Sequence, residues 1–159
     1  MFFTQESKVR GRIVKADLDG LNIQEIFGDK LLSPLGIAVD FRTSKVVWAD
    51  RGGVGKIQTC TPQGTELETV VQTTVLNRPW GIAVHEDKIY WGSLHGASIT
   101  SVRSSGENVT SLYRGNARIY SLVLPTKHPG ARKNHCSNVT CAGICVLTPT
   151  NARCIPLQP

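Results

Sequence analysis

The 159-residue sequence predicts an all-β chain built from propeller blades, and three repeated patterns predict it. The first is Met1-Phe2-Phe3-Thr4-Gln5, which recurs as Val46-Val47-Trp48-Ala49-Asp50 and as Ile89-Tyr90-Trp91-Gly92-Ser93, a spacing of 43 to 45 residues. The second follows each copy: Arg12-Ile13-Val14-Lys15 to Asp19-Gly20, Lys56-Ile57-Gln58-Thr59 to Gln63-Gly64, and Ser98-Ile99-Thr100-Ser101 to Ser105-Gly106. The third precedes the motif: Pro34-Leu35-Gly36-Ile37-Ala38-Val39-Asp40 and Pro79-Trp80-Gly81-Ile82-Ala83-Val84-His85. A period of this length, made of short strands and turns, signals radial or linear repetition rather than one ordinary core.

Each repeat reads as four strands. The first, residues 36–40 and 81–85, is nearly all apolar, so both its faces are expected to be buried. The second, 46–50 and 88–92, has an aromatic at its centre. The third covers 56–61 and 99–103, and the fourth 66–71 and 109–113. Gly20, Gly64 and Gly106 each close a polar turn between third and fourth strands, where the chain needs a residue tolerant of positive φ. Four antiparallel strands with the inner one most apolar describe a propeller blade. No long segment has helical periodicity.

Composition narrows the class. Hydrophobic residues make up 40% of the chain, a globular value. No apolar run approaches the roughly 20 residues of a membrane helix. Met1 lies inside a repeat motif and no signal peptide precedes it, so the chain reads as beginning partway through a longer protein. Cys136, Cys141, Cys145 and Cys154 cluster near the end, while Cys60 stands alone. Such a cluster is a disulfide framework or a zinc site, and the spacing favours disulfides because only Cys141 and Cys145 form a close pair. Disulfides imply an oxidising compartment. Two glycosylation sequons, at Asn108 and Asn138, agree with that reading.

The chain resembles the YWTD propeller repeats (class B repeats) of the low-density lipoprotein receptor family. Residues 46–50 and 89–93 stand at that family's motif strand. Lys56-Ile57 and Asp19-Gly20 match its third strand and turn. Residues 119–124, His128-Pro129 and His135-Cys136 resemble the last inner strand and the entry to an EGF-like module. The resemblance implies a partial six-bladed YWTD β-propeller of about three blades at residues 1–125, half of a ring. A linker and a truncated, disulfide-bonded EGF-like module would follow at 126–159. It implies Cys136–Cys145 and Cys141–Cys154 pairing, with Pro156 where a fifth cysteine should stand. The motif aspartate survives only as Asp50, with Gln5 and Ser93 in the other copies, and the family's third-strand arginine is Lys15, Thr59 and Ser101. Hydrogen bonds between strands are therefore expected to differ among the copies.

Strand direction sorts the loops onto two faces. Lys8, Arg10, Lys30, Arg51, Arg78, Arg114 and Arg118 share one with Glu6, Asp29 and Asp50. Asp19, Asp40, Glu66, Glu86, Asp87 and Glu107 share the other with Arg42, Lys45 and Lys88. The net charge of +6 is thus polarised. A basic face attracts acidic partners. Trp80 beside Arg78, and Tyr120 near Arg118, supply candidate interface anchors; Trp80 is alternatively a packing residue, since Leu35 holds its equivalent position. His95 is the candidate for acid-triggered ligand release, by resemblance, or else a solvated loop histidine. Cys60 is either buried or an exposed thiol.

The expected ligand-binding face is therefore Arg51, Arg78, Trp80, His95, Arg118 and Tyr120, and the expected partner is an extracellular protein acidic at the contact. A pI of 9.3 without a nucleic-acid motif does not suggest nucleic acid. The inner strands carry no metal ligands and no nucleophile and base in a recognisable setting, so catalysis, metal and cofactor are not expected. The resemblance implies an ectodomain fragment of a membrane-anchored endocytic or signalling receptor at the cell surface, or a secreted matrix scaffold of nidogen type. An open arc of blades exposes strand edges, so self-association is expected.

Overall fold

The computed structural model describes residues 1–7, 10–28, 31–72 and 78–122, with the backbone of two further strands at 144–147 and 152–155. Three antiparallel sheets make up the repeats. The first blade is β1 (Phe2–Glu6), β2 (Gly11–Lys15) and β3 (Gln24–Phe27). The second is β4 (Pro34–Asp40), β5 (Lys45–Asp50), β6 (Lys56–Cys60) and β7 (Glu68–Gln72). The third is β8 (Pro79–His85), β9 (Lys88–Ser93), β10 (Ser98–Arg103) and β11 (Thr110–Arg114). Residues 119–122 begin a fourth position, lying against the inner strand β8. The strands fall where the sequence places them, with ends shifted by one or two residues.

Alternation along the second strand of each blade builds the seams between blades, because successive side chains point to opposite faces. On β5, Val46 and Trp48 face the first blade and form a core with Ile13, Leu31 and Cys60. Phe27 closes this seam, its ring centroid 5.9 Å from that of Trp48. Val47 and Ala49 face the other way and join Ile57, Ile82, Ile89, Trp91 and Val102 in the second seam. Trp48 and Trp91 are wholly buried.

One expectation fails. The inner strands are not buried throughout: residues 35–39 of β4 are only half-buried, and in β8 Gly81 and Ile82 are buried but Trp80, Ala83 and Val84 are half-buried, whereas β5 is buried from Val46 to Asp50. The glycines of the inner strands have a separate cause. A Cβ on Gly36 would lie 2.3 Å from the Trp80 carbonyl oxygen, and one on Gly81 would lie 2.8 Å from that of Tyr120. Backbones of successive inner strands approach too closely for any side chain. The turn glycines behave as expected, with φ of 83° at Gly20, 82° at Gly64 and 89° at Gly106. Gly64 also needs the space, since a Cβ there would lie 1.8 Å from the Ile26 carbonyl oxygen.

Near the end of the chain, β12 (Ile144–Leu147) and β13 (Ala152–Ile155) form a two-stranded sheet in which Cys145 and Cys154 are opposite in register. Cys136, Cys141, Asn138 and the side chains of Cys145 and Cys154 lie outside the described residues, and so do the expected disulfides. Lys8, Asp29 and Lys30 lie outside them as well.

Candidate ligand-binding face

At one end of the blades, the loop leaving each second strand meets the loop entering the same blade. Arg51 donates its backbone N–H to Ser33 at 2.9 Å, and Leu94 donates to Arg78 at 3.3 Å. In the second blade Asp50 secures this join. Its carboxylate is buried and accepts from the N–H groups of Ser33 (2.8 Å), Gly52 (2.9 Å) and Leu32 (3.3 Å). A carboxylate has the lone pairs for three such bonds. The other copies do otherwise, as their sequence foreshadows: Gln5 is exposed and accepts from Arg12 Nε at 2.6 Å, while Ser93 is fully buried. At Thr59, Oγ1 is buried with no hydrogen-bond partner among the described residues.

Across this end runs a ladder of four side chains from four successive blade positions. Glu6 on the first blade accepts from Arg51 Nη2 at 3.3 Å and from Ser33 Oγ at 2.5 Å. Arg51 Nε also donates to Ser33 Oγ at 3.2 Å. The Arg51 guanidinium lies over the Trp80 ring, 5.1 Å from its centroid, on the third blade. Tyr120, from the fourth position, meets Trp80 edge-on, with centroids 5.8 Å apart and planes at 87°. Arg51 is thus held by a carboxylate, a hydroxyl and an aromatic face at once. Below Trp80 and Tyr120 a groove of ≈ 460 Å³ runs along the inner strands past Thr4, Leu35 and Ile82.

The ladder joins three of the expected residues, Arg51, Trp80 and Tyr120. Trp80 is half-buried, so packing and accessibility coexist in it. The sequence pairs Trp80 with Arg78, whereas the structure pairs it with Arg51. Arg78 sits in the left-handed region (φ 59°) just before β8 and is exposed. His95 and Arg118 are exposed as well. Among the described residues, none of these three joins the ladder by a hydrogen bond, ion pair or ring contact. Counter-charge is present as well, since Glu6 pairs with Arg51 and Glu25 with Arg10 and Arg12. The sequence places Glu6 on this face without marking it as a site residue, and does not single out Ser33. Their one visible signal is position: Ser33 precedes the inner-strand proline, and Glu6 directly follows the first motif copy.

Other candidate features resolve simply. Asn108 is exposed in a turn (φ 56°), as a glycosylation acceptor requires. Cys60 is a buried thiol, pushed up to about 11 by desolvation against a smaller opposing effect of Lys45. On the opposite face, Asp40 is buried and binds the N–H groups of Arg42 and Thr43. Lys45 pairs there with Glu68, and Asp87 with Arg103. No group of three or more potential metal ligands occurs among the described residues.

No protein-family model matches the chain. Over 149 residues, 92% of its length, it is 30% identical to the vitellogenin receptor Yl of Drosophila melanogaster, of which it spans 7%. Among solved structures, it is similar to a chain in the crystal structure of a nidogen/laminin complex. That likeness has a TM-score of 0.66 and 21% identity, over 76% of this chain and 46% of the other. These are receptor and scaffold proteins, not enzymes. The chain is a partial β-propeller of extracellular or cell-surface location, and its repeats are similar to the YWTD (class B) repeats of the low-density lipoprotein receptor family.

Proposed function

We propose that the end of the arc carrying Arg51, Trp80 and Tyr120, with Arg78, His95 and Arg118 around it, binds an extracellular protein ligand on behalf of a membrane-anchored, low-density lipoprotein receptor-related receptor. The single observation that carries this reading is the ladder. It presents a half-buried tryptophan and an exposed tyrosine above a groove, rigidified by an arginine that is itself pinned. Rigid aromatic anchors beside arginine are the usual energetic centre of an interface. Arg78 and Arg118 lie exposed near it, without an ion pair among the described residues, and favour a ligand acidic at its contact. The receptor role rests on the likeness to a vitellogenin receptor over 92% of the chain. A secreted scaffold is the second reading, supported by the fold shared with a chain of the nidogen/laminin complex.

Vitellogenin, named for the relative, is the first probe. With the chain immobilised and vitellogenin in solution, Trp80→Ala is expected to weaken binding by roughly 30-fold or more, about 2 kcal/mol. Charge reversal at Arg78 and Arg118 should slow association and flatten its salt dependence. Unchanged affinity in Trp80→Ala, with unchanged salt dependence in the reversal variant, would place the contact elsewhere. A laminin fragment that bound through the same residues, where vitellogenin did not, would favour the scaffold.

A further inference from the structure

The two seams differ at one repeated position. Lys15 lies opposite Phe2, two residues past Ile13, and Thr59 lies opposite Val47, two residues past Ile57. Ile13 belongs to the core of the first seam and Ile57 to that of the second. Side chains two apart on a strand share a face, so Lys15 turns into the first seam as Thr59 turns into the second. Lys15, half-buried, brings an alkyl stem and an ammonium. Thr59 brings only a methyl and a hydroxyl.

Beside Thr59, between the second and third blades and at the end away from the ladder, lies a cavity of ≈ 200 Å³. That is larger than the about 150 Å³ apolar cavity that admits benzene. Val47, Val70 and Ile89 give it apolar walls, and all three pack in the core of the second seam. Thr59 lines it too, its Oγ1 buried with no hydrogen-bond partner among the described residues. The wall from the third blade is fixed, since Ser104 donates to the Asp87 carbonyl oxygen through N–H (2.7 Å) and Oγ (3.2 Å).

The charges around the cavity decide what it takes. Lys45 is neutralised by Glu68 at 2.8 Å. The Asp40 side chain is only 5% exposed, and its Oδ1 accepts from the N–H groups of Arg42 (2.9 Å) and Thr43 (3.3 Å). Its Oδ2 has Arg42 at 3.7 Å, beyond hydrogen-bond reach, and that arginine is 54% exposed. The buried charge left short of partners is therefore negative. An anion would meet this carboxylate, and a purely apolar molecule would leave it unmet. A cation on an alkyl stem suits both walls, as lysine stems lie along apolar surface with the charged head beyond.

We propose that this seam cavity, separate from the face carrying the ladder, binds an alkylammonium group, its stem against Val47, Val70 and Ile89 and its head on Asp40 Oδ2. The group belongs to a free amine or to a lysine side chain of a polypeptide.

The probe is n-butylammonium, added to the whole chain with its Ile and Val methyl groups labelled for NMR. The methyl resonances of Val47, Val70 and Ile89 should shift saturably. n-Butanol and butyrate should bind at least about tenfold more weakly, because neither brings a charge-assisted hydrogen bond to Asp40. Asp40→Asn, which keeps Oδ1 for the turn, should weaken butylammonium by a similar factor. Thr59→Lys, which puts the first seam's residue into the second, should abolish the response. An end-blocked Gly-Lys-Gly peptide separates the two sources: competition with butylammonium assigns the site to a polypeptide lysine, and failure to compete assigns it to a free amine. Equal binding of butanol, a response that never saturates, or unchanged affinity in Asp40→Asn would each overturn the proposal. Should Thr59→Lys fail to fold, the butanol comparison and Asp40→Asn decide alone.

Discussion

Trp48 and Trp80 are both set by the repeat, yet they do opposite work. Trp48 is wholly buried in the seam between the first two blades, and among the described residues no hydrogen-bond partner meets its indole N–H. Trp80 is half-buried at the blade end, under Arg51 and beside Tyr120. Seams follow from strand alternation, so each copy of the motif repeats them. The ladder draws one side chain from each of four blade positions, so it occurs once. Repetition builds the scaffold, and departures from repetition build the face.

The largest test of this contrast is Trp48→Ala. Emptying a sealed site is expected to cost ~3–5 kcal/mol in urea unfolding. Trp80→Ala should cost well under half of that, because a half-buried ring loses little burial and a cation–π contact is worth about 0.5–2 kcal/mol. Equal losses would abolish the distinction between seam and face.

Next comes the joint of the second blade. Asp50→Ala strands three N–H groups, that of Ser33 buried and those of Leu32 and Gly52 partly buried, and should cost ~2–4 kcal/mol. Gln5→Ala, at the equivalent but exposed place, should stay within about 0.5 kcal/mol. A similar cost at both positions would mean that the copies are used alike.

Smaller effects separate turn conformation from packing between blades. Gly20 and Gly64 share the same φ, but nothing lies within 4 Å of a Cβ at Gly20. Gly20→Ala should cost about 1 kcal/mol of backbone strain. Gly64→Ala adds the displacement of β3 and should cost visibly more in the same unfolding assay. Matching values would show that the Ile26 carbonyl yields freely.

The smallest effect concerns Cys60. Its thiol is raised in the folded chain, so the stability linked to it is complete below about 9, the unfolded value, and is lost as pH rises through about 11. Wild type should lose stability relative to Cys60→Ala across that window. Native-state alkylation at neutral pH, read by peptide mapping, should spare Cys60. Ready labelling would show that the first seam opens.

Much of the fold was legible because its causes are local. Val46 to Asp50 alternate so that one strand serves two seams, and Gly20, Gly64 and Gly106 mark turns that any side chain would strain. The half-buried state of residues 35–39 was not legible, since an apolar run does not say whether its neighbour is another blade or an open middle. Of the face, Trp80 and Tyr120 were legible as departures from Leu35 at one repeated position. Glu6 was legible only as a charge on the same face; Ser33 and the hold on Arg51 were not, for those residues lie up to 45 positions apart and meet only when blades stack.

By itself, then, the sequence determined the blade: strand order, turn glycines and the one retained motif aspartate. Each depends on interactions within about 45 residues, which a repeat writes into the chain several times over. Tertiary structure alone decided what touches across blades: the arginine on Trp80 is Arg51 and not its neighbour Arg78. It also decided that Gly36 and Gly81 are there for backbone contact. The physical reason is that radial stacking sets angles and distances between repeats, and no pattern within one repeat contains them.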